Sequence, residues 1–116
     1  MEEFVTGTDL ASALDIVQNG LNIEKARELG GDGSFWAMPV AQIESARFFA
    51  LVNPALSPQC ALVKMTVPSK TLEDLLKNSL LEIILDGPFY RFAPDSFGIL
   101  NEKAVFELIA SFLVTE

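Results

Sequence analysis

The sequence predicts an α+β fold, a single compact domain of short strands and helices spanning residues 1–116. Three observations carry this expectation. The chain has 116 residues, about the size of one domain with no room for a second substantial core. Half of those residues are hydrophobic and the mean hydropathy is +0.34, so a core can be built. Strand-like alternation and helix-like spacing also interleave irregularly, without the regular succession of a parallel α/β sheet.

The elements follow in order. Phe4-Val5, ahead of the break at Gly7, is a short strand. From Asp9 the pattern turns helical: Leu10, Leu14 and Val17 fall at i, i+4 and i+7, with Ala13 and Ile16 widening the stripe. Asp9 or Thr8 caps its start and Asn19-Gly20 supplies a left-handed stop. Ile23 to Leu29 offers two further helical turns before the run Gly30-Gly31-Asp32-Gly33. Ser34 to Met38 reads as a strand stopped by Pro39, and Val40 to Val52 as a helix ended by Asn53-Pro54, because the residue before proline is pushed out of the helical region. Cys60 to Val67 alternates as a strand. Pro68-Ser69 breaks it, and Leu72, Leu75 and Leu76 mark a short helix. Leu80 to Leu85 and Phe89 to Phe92 flank Asp86-Gly87-Pro88 as a hairpin. Val105, Leu108, Ile109 and Phe112 repeat at helical spacing and predict a C-terminal helix.

Composition removes several function classes. The chain has no histidine, which excludes His-based triads, His general bases and His-ligated metal sites. Its one cysteine, Cys60, cannot form an intramolecular disulfide, and without a basic neighbour it reads as a buried structural thiol. A net charge of −8 argues against binding nucleic-acid phosphates. The start Met1-Glu2-Glu3 is acidic where a secretory signal is basic, and the most apolar segment, Ala104 to Val114, is about half the length of a membrane-spanning helix. The expected compartment is the cytoplasm, with no membrane partner. The high apolar fraction also makes a homodimer, or another protein partner, a natural way to bury spare surface.

Conventional chemical motifs are sparse. The glycines at 30, 31 and 33 lie between a helix and a strand, the reverse of the dinucleotide-binding order. The acidic pairs Glu2-Glu3 and Glu73-Asp74 read as solvated charge, and no metal site is expected. Two aromatic clusters, Phe35-Trp36 and Phe89-Tyr90-Arg91-Phe92, are either core packing or a stacking surface for a planar ligand.

The order of the pieces is more specific than any one of them. Gly7-Thr8-Asp9, then Ala13, Ile16 and Asn19-Gly20, lead through the glycine-rich run to Phe35-Trp36, and on to Ala46, Phe49-Ala50 and Asn53-Pro54. This string resembles the N-terminal half of small ADP-ribosyltransferase-like domains from bacterial toxin systems and related uncharacterised families. The resemblance covers roughly residues 4 to 67, and Tyr90, Phe92, Pro94, Ser96-Phe97 and Leu100-Asn101 are similar, more weakly, to the group's later block. It implies a fold in which two small sheets enclose a cleft that holds NAD in a bent form. Thr6, Gly7 and Thr8 stand at the first motif and Phe35 and Trp36 at the second, so the resemblance makes these five the cofactor-binding candidates. A late glutamate would support the oxocarbenium-like transition state as nicotinamide leaves. Glu102 is the nearest candidate for that catalytic role, with Glu82 and Glu107 as rivals.

The departures from the group's pattern point to function as much as the matches. The Arg or His of the first motif is replaced by Thr6, which cannot make a charge-assisted contact to an anionic cofactor. The hydroxyl pair of the second motif is replaced by Ala37-Met38. The expected function is therefore a degenerate ADP-ribosyltransferase-like domain acting as a binding or regulatory module. An active NAD-dependent transferase and a structural or interaction protein, such as a homodimer, are the alternatives.

Overall fold

The computed structural model describes residues 1–22, 24, 33–44, 59–84 and 89–113. Six strands form one antiparallel sheet: β1 (Glu2–Asp9), β2 (Phe35–Pro39), β3 (Gln59–Val67), β4 (Leu81–Ile84), β5 (Phe89–Phe92) and β6 (Val105–Leu113), in the spatial order β4-β5-β2-β1-β3-β6. Three α-helices occur among the described residues: α1 (Leu10–Asn19), α2 (Ser69–Lys77) and α3 (Phe97–Lys103). Strands and helices of this kind, with no parallel pair, make the fold α+β. The expected helix over 23–29, the glycine run at 30–32, most of the expected helix over 40–52 and the hairpin turn at 85–88 lie outside the described residues; Val40–Gln42 form a single 3₁₀ turn.

The sheet is organised around β3. Cys60, Ala61, Leu62 and Val63 are all buried, as are Met65 and Val67, so this strand is covered on both faces. It pairs with β1 over eight residues, from Glu2 opposite Val67 to Asp9 opposite Cys60, and with β6 on its other side. Alternation sends Phe4, Phe35, Met65, Leu81 and Phe92 to one face, where Leu72 and Leu75 of α2 and Phe97 and Leu100 of α3 complete the main core. Aromatic rings knit it: Phe4 lies 4.7 Å from Tyr90 and 5.7 Å from Phe92, and Phe35 lies 6.1 Å from Phe92, all tilted or edge-on as aromatic quadrupoles prefer. Val5, Met38 and Leu62 gather on the opposite face with Ile43, Phe89 and Ala110.

Helix α1 begins and ends as expected, but its buried face is rotated. Ala13 is fully buried against Ala61 and Val63, flanked by Leu10 and Ile16, whereas Leu14 and Val17 remain 40% and 38% exposed. The small Ala13 side chain lets the helix sit close on β3, leaving the larger residues of the stripe to one side. A second difference is at the C-terminus. Residues 105–113 form strand β6, not a helix, and the nearest helix, α3, precedes them. The segment Val-Phe-Glu-Leu-Ile is rich in β-branched and aromatic residues, and pairing with β3 decides its conformation. A register shift opposite Leu62/Val63 leaves Ile109 as an extra residue. This bulge breaks the strand's period of two, which is why the spacing looked helical. No helix among the described residues is long and apolar enough to cross a membrane.

The loop after α1 is tied to α3. Gly20 donates to the Ile16 carbonyl at 2.9 Å and adopts φ 83°, ψ −171°, a conformation almost restricted to glycine. The chain then meets Asn101, whose side-chain oxygen accepts from the Leu21 amide at 2.7 Å while its Nδ2 donates to the Leu21 carbonyl at 3.1 Å. A Cβ on Gly20 would stand 2.6 Å from the Asn101 side-chain oxygen. Asn101→Ala should therefore lower the unfolding free energy by about 1–3 kcal/mol, the cost of leaving these main-chain groups unpaired. Gly20→Ala should cost a similar amount, about 1–3 kcal/mol from backbone strain alone. Urea unfolding of both variants and of the double variant measures this, and a double variant less destabilised than the sum is expected because the two changes relieve one clash.

Candidate functional site

The sheet is not evenly knit across its middle. β1 and β2 share only two register pairs, Phe4 with Pro39 and Val5 with Met38. Beyond Val5, β1 continues alongside β3 to Asp9, while the start of β2 pairs with β5 through Phe35–Phe92, Trp36–Arg91 and Ala37–Tyr90. The two strands thus part company, and the Thr6 hydroxyl spans the gap by donating to the Trp36 carbonyl at 2.9 Å. A cleft of about 240 Å³ opens here, lined by Val5, Thr6, Gly7, Trp36, Ala37, Met38 and Phe89.

Three of the predicted cofactor-binding residues, Thr6, Gly7 and Trp36, meet in this cleft. Trp36 is 43% exposed, so its indole presents a free face. Phe35, its neighbour in sequence, points to the other side of the sheet and is buried in the main core. Thr8 is buried and lies two residues beyond Thr6 along β1, where its hydroxyl donates to Asp9 at 3.3 Å. Glu102 sits on α3, exposed to solvent and 3.6 Å from the Lys103 ammonium, and does not line the cleft. The rivals Glu82 and Glu107 lie on β4 and β6, paired at 4.0 Å with Arg91 and at 3.8 Å with Lys64. Val5, Ala37, Met38 and Phe89 complete the described lining; Phe89 belongs to the aromatic cluster singled out in the sequence, whereas Met38 comes from a separate strand. The alternation of β2 and β5 is the signal that puts Trp36, Met38 and Phe89 on one face.

The chemistry available is mostly apolar. Among the described residues no charged side chain lines the cleft, and the Thr6 hydroxyl is committed to Trp36. By register Arg91 lies opposite Trp36 and Lys64 opposite Val5, each within 4.0 Å of a glutamate. A second depression of about 350 Å³ lies between α2 and the sheet, with Phe4, Leu72, Leu81 and Tyr90 below Glu2 and Glu73, and it contains none of the predicted site residues. Among the described residues no three potential ligands group as a metal site would require.

Asp9 and Cys60 face each other across β1 and β3 at the end of this region. Burial alone would push the Asp9 carboxyl up, but donation from the Ser12 hydroxyl and amide and from the Thr8 hydroxyl outweighs it and holds the group below the ordinary aspartate value. Burial pushes the Cys60 thiol up, and the Asp9 carboxylate adds to that shift. Cys60 is fully buried, so it is a packing residue and a poor nucleophile.

No protein-family model matches the chain, and neither the curated proteins nor the solved structures contain a significant match.

Two outcomes follow from the Asp9–Cys60 pair. Because the folded-state carboxyl of Asp9 titrates below its unfolded value, its contribution is present above the unfolded pKa and is lost as pH falls through the folded one. Asp9→Ala should cost about 1 kcal/mol at neutral pH through the lost helix cap, and the difference from wild type should shrink in acid-series denaturation. Cys60 should react with a thiol reagent only at the rate at which the chain opens, so labelling should accelerate steeply with added urea.

Proposed function

We propose that this chain is a degenerate ADP-ribosyltransferase-like domain that works as a binding or regulatory module and not as a transferase. The observation that carries the reading is the cleft at the parting of β1 and β2. The motif positions Thr6, Gly7 and Trp36 line it together, yet among the described residues nothing charged does. The resemblance calls for two small sheets around a cleft, whereas here one six-stranded sheet thins to two register pairs between β1 and β2, and the cleft opens at that thinning. It also calls for a cationic anchor on the first strand, where Thr6 stands with its hydroxyl already engaged. A nicotinamide dinucleotide carries two phosphates, and the described lining residues include no cation to give them a charge-assisted contact in a chain of net charge −8. Glu102, exposed on α3 and outside the cleft, is poorly set to stabilise a ribosyl cation beside Trp36.

The cleft suits a neutral, planar or apolar group, with Trp36 as the stacking face and Phe89 and Met38 as walls. Trp36 is the chain's one tryptophan, so its fluorescence reports on the cleft alone. Titration with NAD to about millimolar concentration should leave that emission and the calorimetric baseline without a saturable change. Saturable NAD binding by the wild type with nicotinamide release, abolished in Glu102→Gln, would establish the active transferase instead.

A further inference from the structure

The two edges of the sheet are built very differently. β4 is four residues long and carries Glu82, which is how natural sheets blunt an edge. β6 is nine residues long, contains no proline or lysine, and has a single charged residue, Glu107, drawn toward Lys64 at 3.8 Å; the bulge at Ile109 is the edge-blunting device it does carry. Among the described residues its only pairing partner is β3, so its outer row of main-chain donors and acceptors is open. Val105, Leu108 and Ile109 are 53%, 38% and 38% exposed along it.

The apolar surface continues onto α1. This helix lies on β3 and β6, and Phe106 of β6 packs against its buried cluster. Leu108 lies opposite Val63 and so shares the face of β6 that α1 covers. The exposed Leu14 and Val17 belong to the same helix. Five of the nine large apolar side chains exposed among the described residues therefore belong to β6 and α1. Such a concentration marks an interaction surface.

We infer that β6 pairs antiparallel with β6 of a second copy of this chain, joining the two sheets edge to edge and bringing α1 against its symmetry mate. Self-pairing is the occupant that satisfies every feature at once. A two-fold axis perpendicular to the sheet gives each open amide a carbonyl from the same strand. It also keeps both α1 helices on one face, where Leu14 and Val17 of each copy come together. Two chains of charge −8 repel, and they can approach closely only where charge is sparse. β6 and α1 carry one acidic residue each, Glu107 and Asp15. Pairing centred on Ile109 sets Glu107 opposite Ser111, so the two carboxylates do not meet. This inference stands on the edge and the helix, not on the nucleotide reading, and the cleft experiments leave it untouched.

Sedimentation equilibrium of the intact chain from about 1 µM to 1 mM tests it. The expected result is a mass twice the 12.7 kDa of one chain, with tighter association as salt screens the shared negative charge. Ile109→Lys puts a charge on the edge, and the pair Leu14→Glu with Val17→Glu puts charges on the helix flank. Each should weaken the dimer about tenfold or more while the circular dichroism of the fold is kept. If Ile109→Lys fails to fold, the helix pair decides, since both positions are already exposed. Amide exchange in β6 should slow as concentration rises. A wild type that stays monomeric to 1 mM, a dimer undiminished in the helix pair, or β6 protection independent of concentration would each overturn the inference, the last by showing that the chain covers its own edge.

Discussion

The eight-residue ladder between β1 and β3 is the constraint on which the rest of this structure depends. β3 is buried on both faces and unbroken from Cys60 to Val67, so β1 is held along its whole length and cannot bend toward another partner. β2 is under a competing demand. Its first residues pair with β5, because Phe35, Phe92, Tyr90 and Phe4 form one aromatic cluster and separating them would expose several rings. Only Met38 and Pro39 remain in register with β1. The cleft is the space left where two well-satisfied ladders diverge. It persists because the Thr6 hydroxyl supplies the donor that the Trp36 carbonyl would otherwise have lost with its ladder.

This origin explains the cleft's chemical character. Strand residues that line a parting between ladders are those whose side chains face away from the aromatic core, here Val5, Trp36, Met38 and Phe89. They are apolar because the same face is covered elsewhere, as the burial of Val5, Met38 and Leu62 shows. An arginine at position 6 would occupy the same strand position but would lack the hydroxyl that now ties β1 to β2. Thr6 thus exchanges a charge for a brace. That exchange is what favours the proposed binding module over a weakened enzyme.

The fold was legible where one local rule acted alone. β3 alternates cleanly, α1 carries its cap at Asp9 and its stop at Gly20, and both lie where the pattern sets them. It was misleading at residues 105–113, where a bulge at Ile109 imitates helical spacing and only the partner strand reveals the difference. The rotation of α1 had a similar cause: periodicity finds an apolar stripe, but Ala61 and Val63 decide that small Ala13 makes the closest approach. Of the site, Thr6, Gly7 and Trp36 were identified from motif order, and their meeting in one cleft is a consequence of strand register. Phe35 neighbours Trp36 in sequence yet faces the other side, because a strand turns successive side chains to opposite faces; Thr8 shares the face of Thr6 but lies beyond the end of the cleft. The clamp of Asn101 on Leu21 joins residues eighty positions apart and had no local signal.

The apolar excess in the composition now has a location. Had it been spread evenly, with single exposed side chains scattered over the surface, it would need no partner. Instead it is gathered on α1 and β6, on the opposite side of β3 and β1 from the cleft. The pairing inferred at β6 would leave each Trp36 accessible and would hold the two clefts at a fixed separation through one continuous sheet. A module so paired would engage a partner at two places at once, the second contact costing far less entropy than the first. A single cleft of modest size, with no charged side chain among its described lining residues, would bind weakly, so rigid joining of two is the step that would make weak recognition useful.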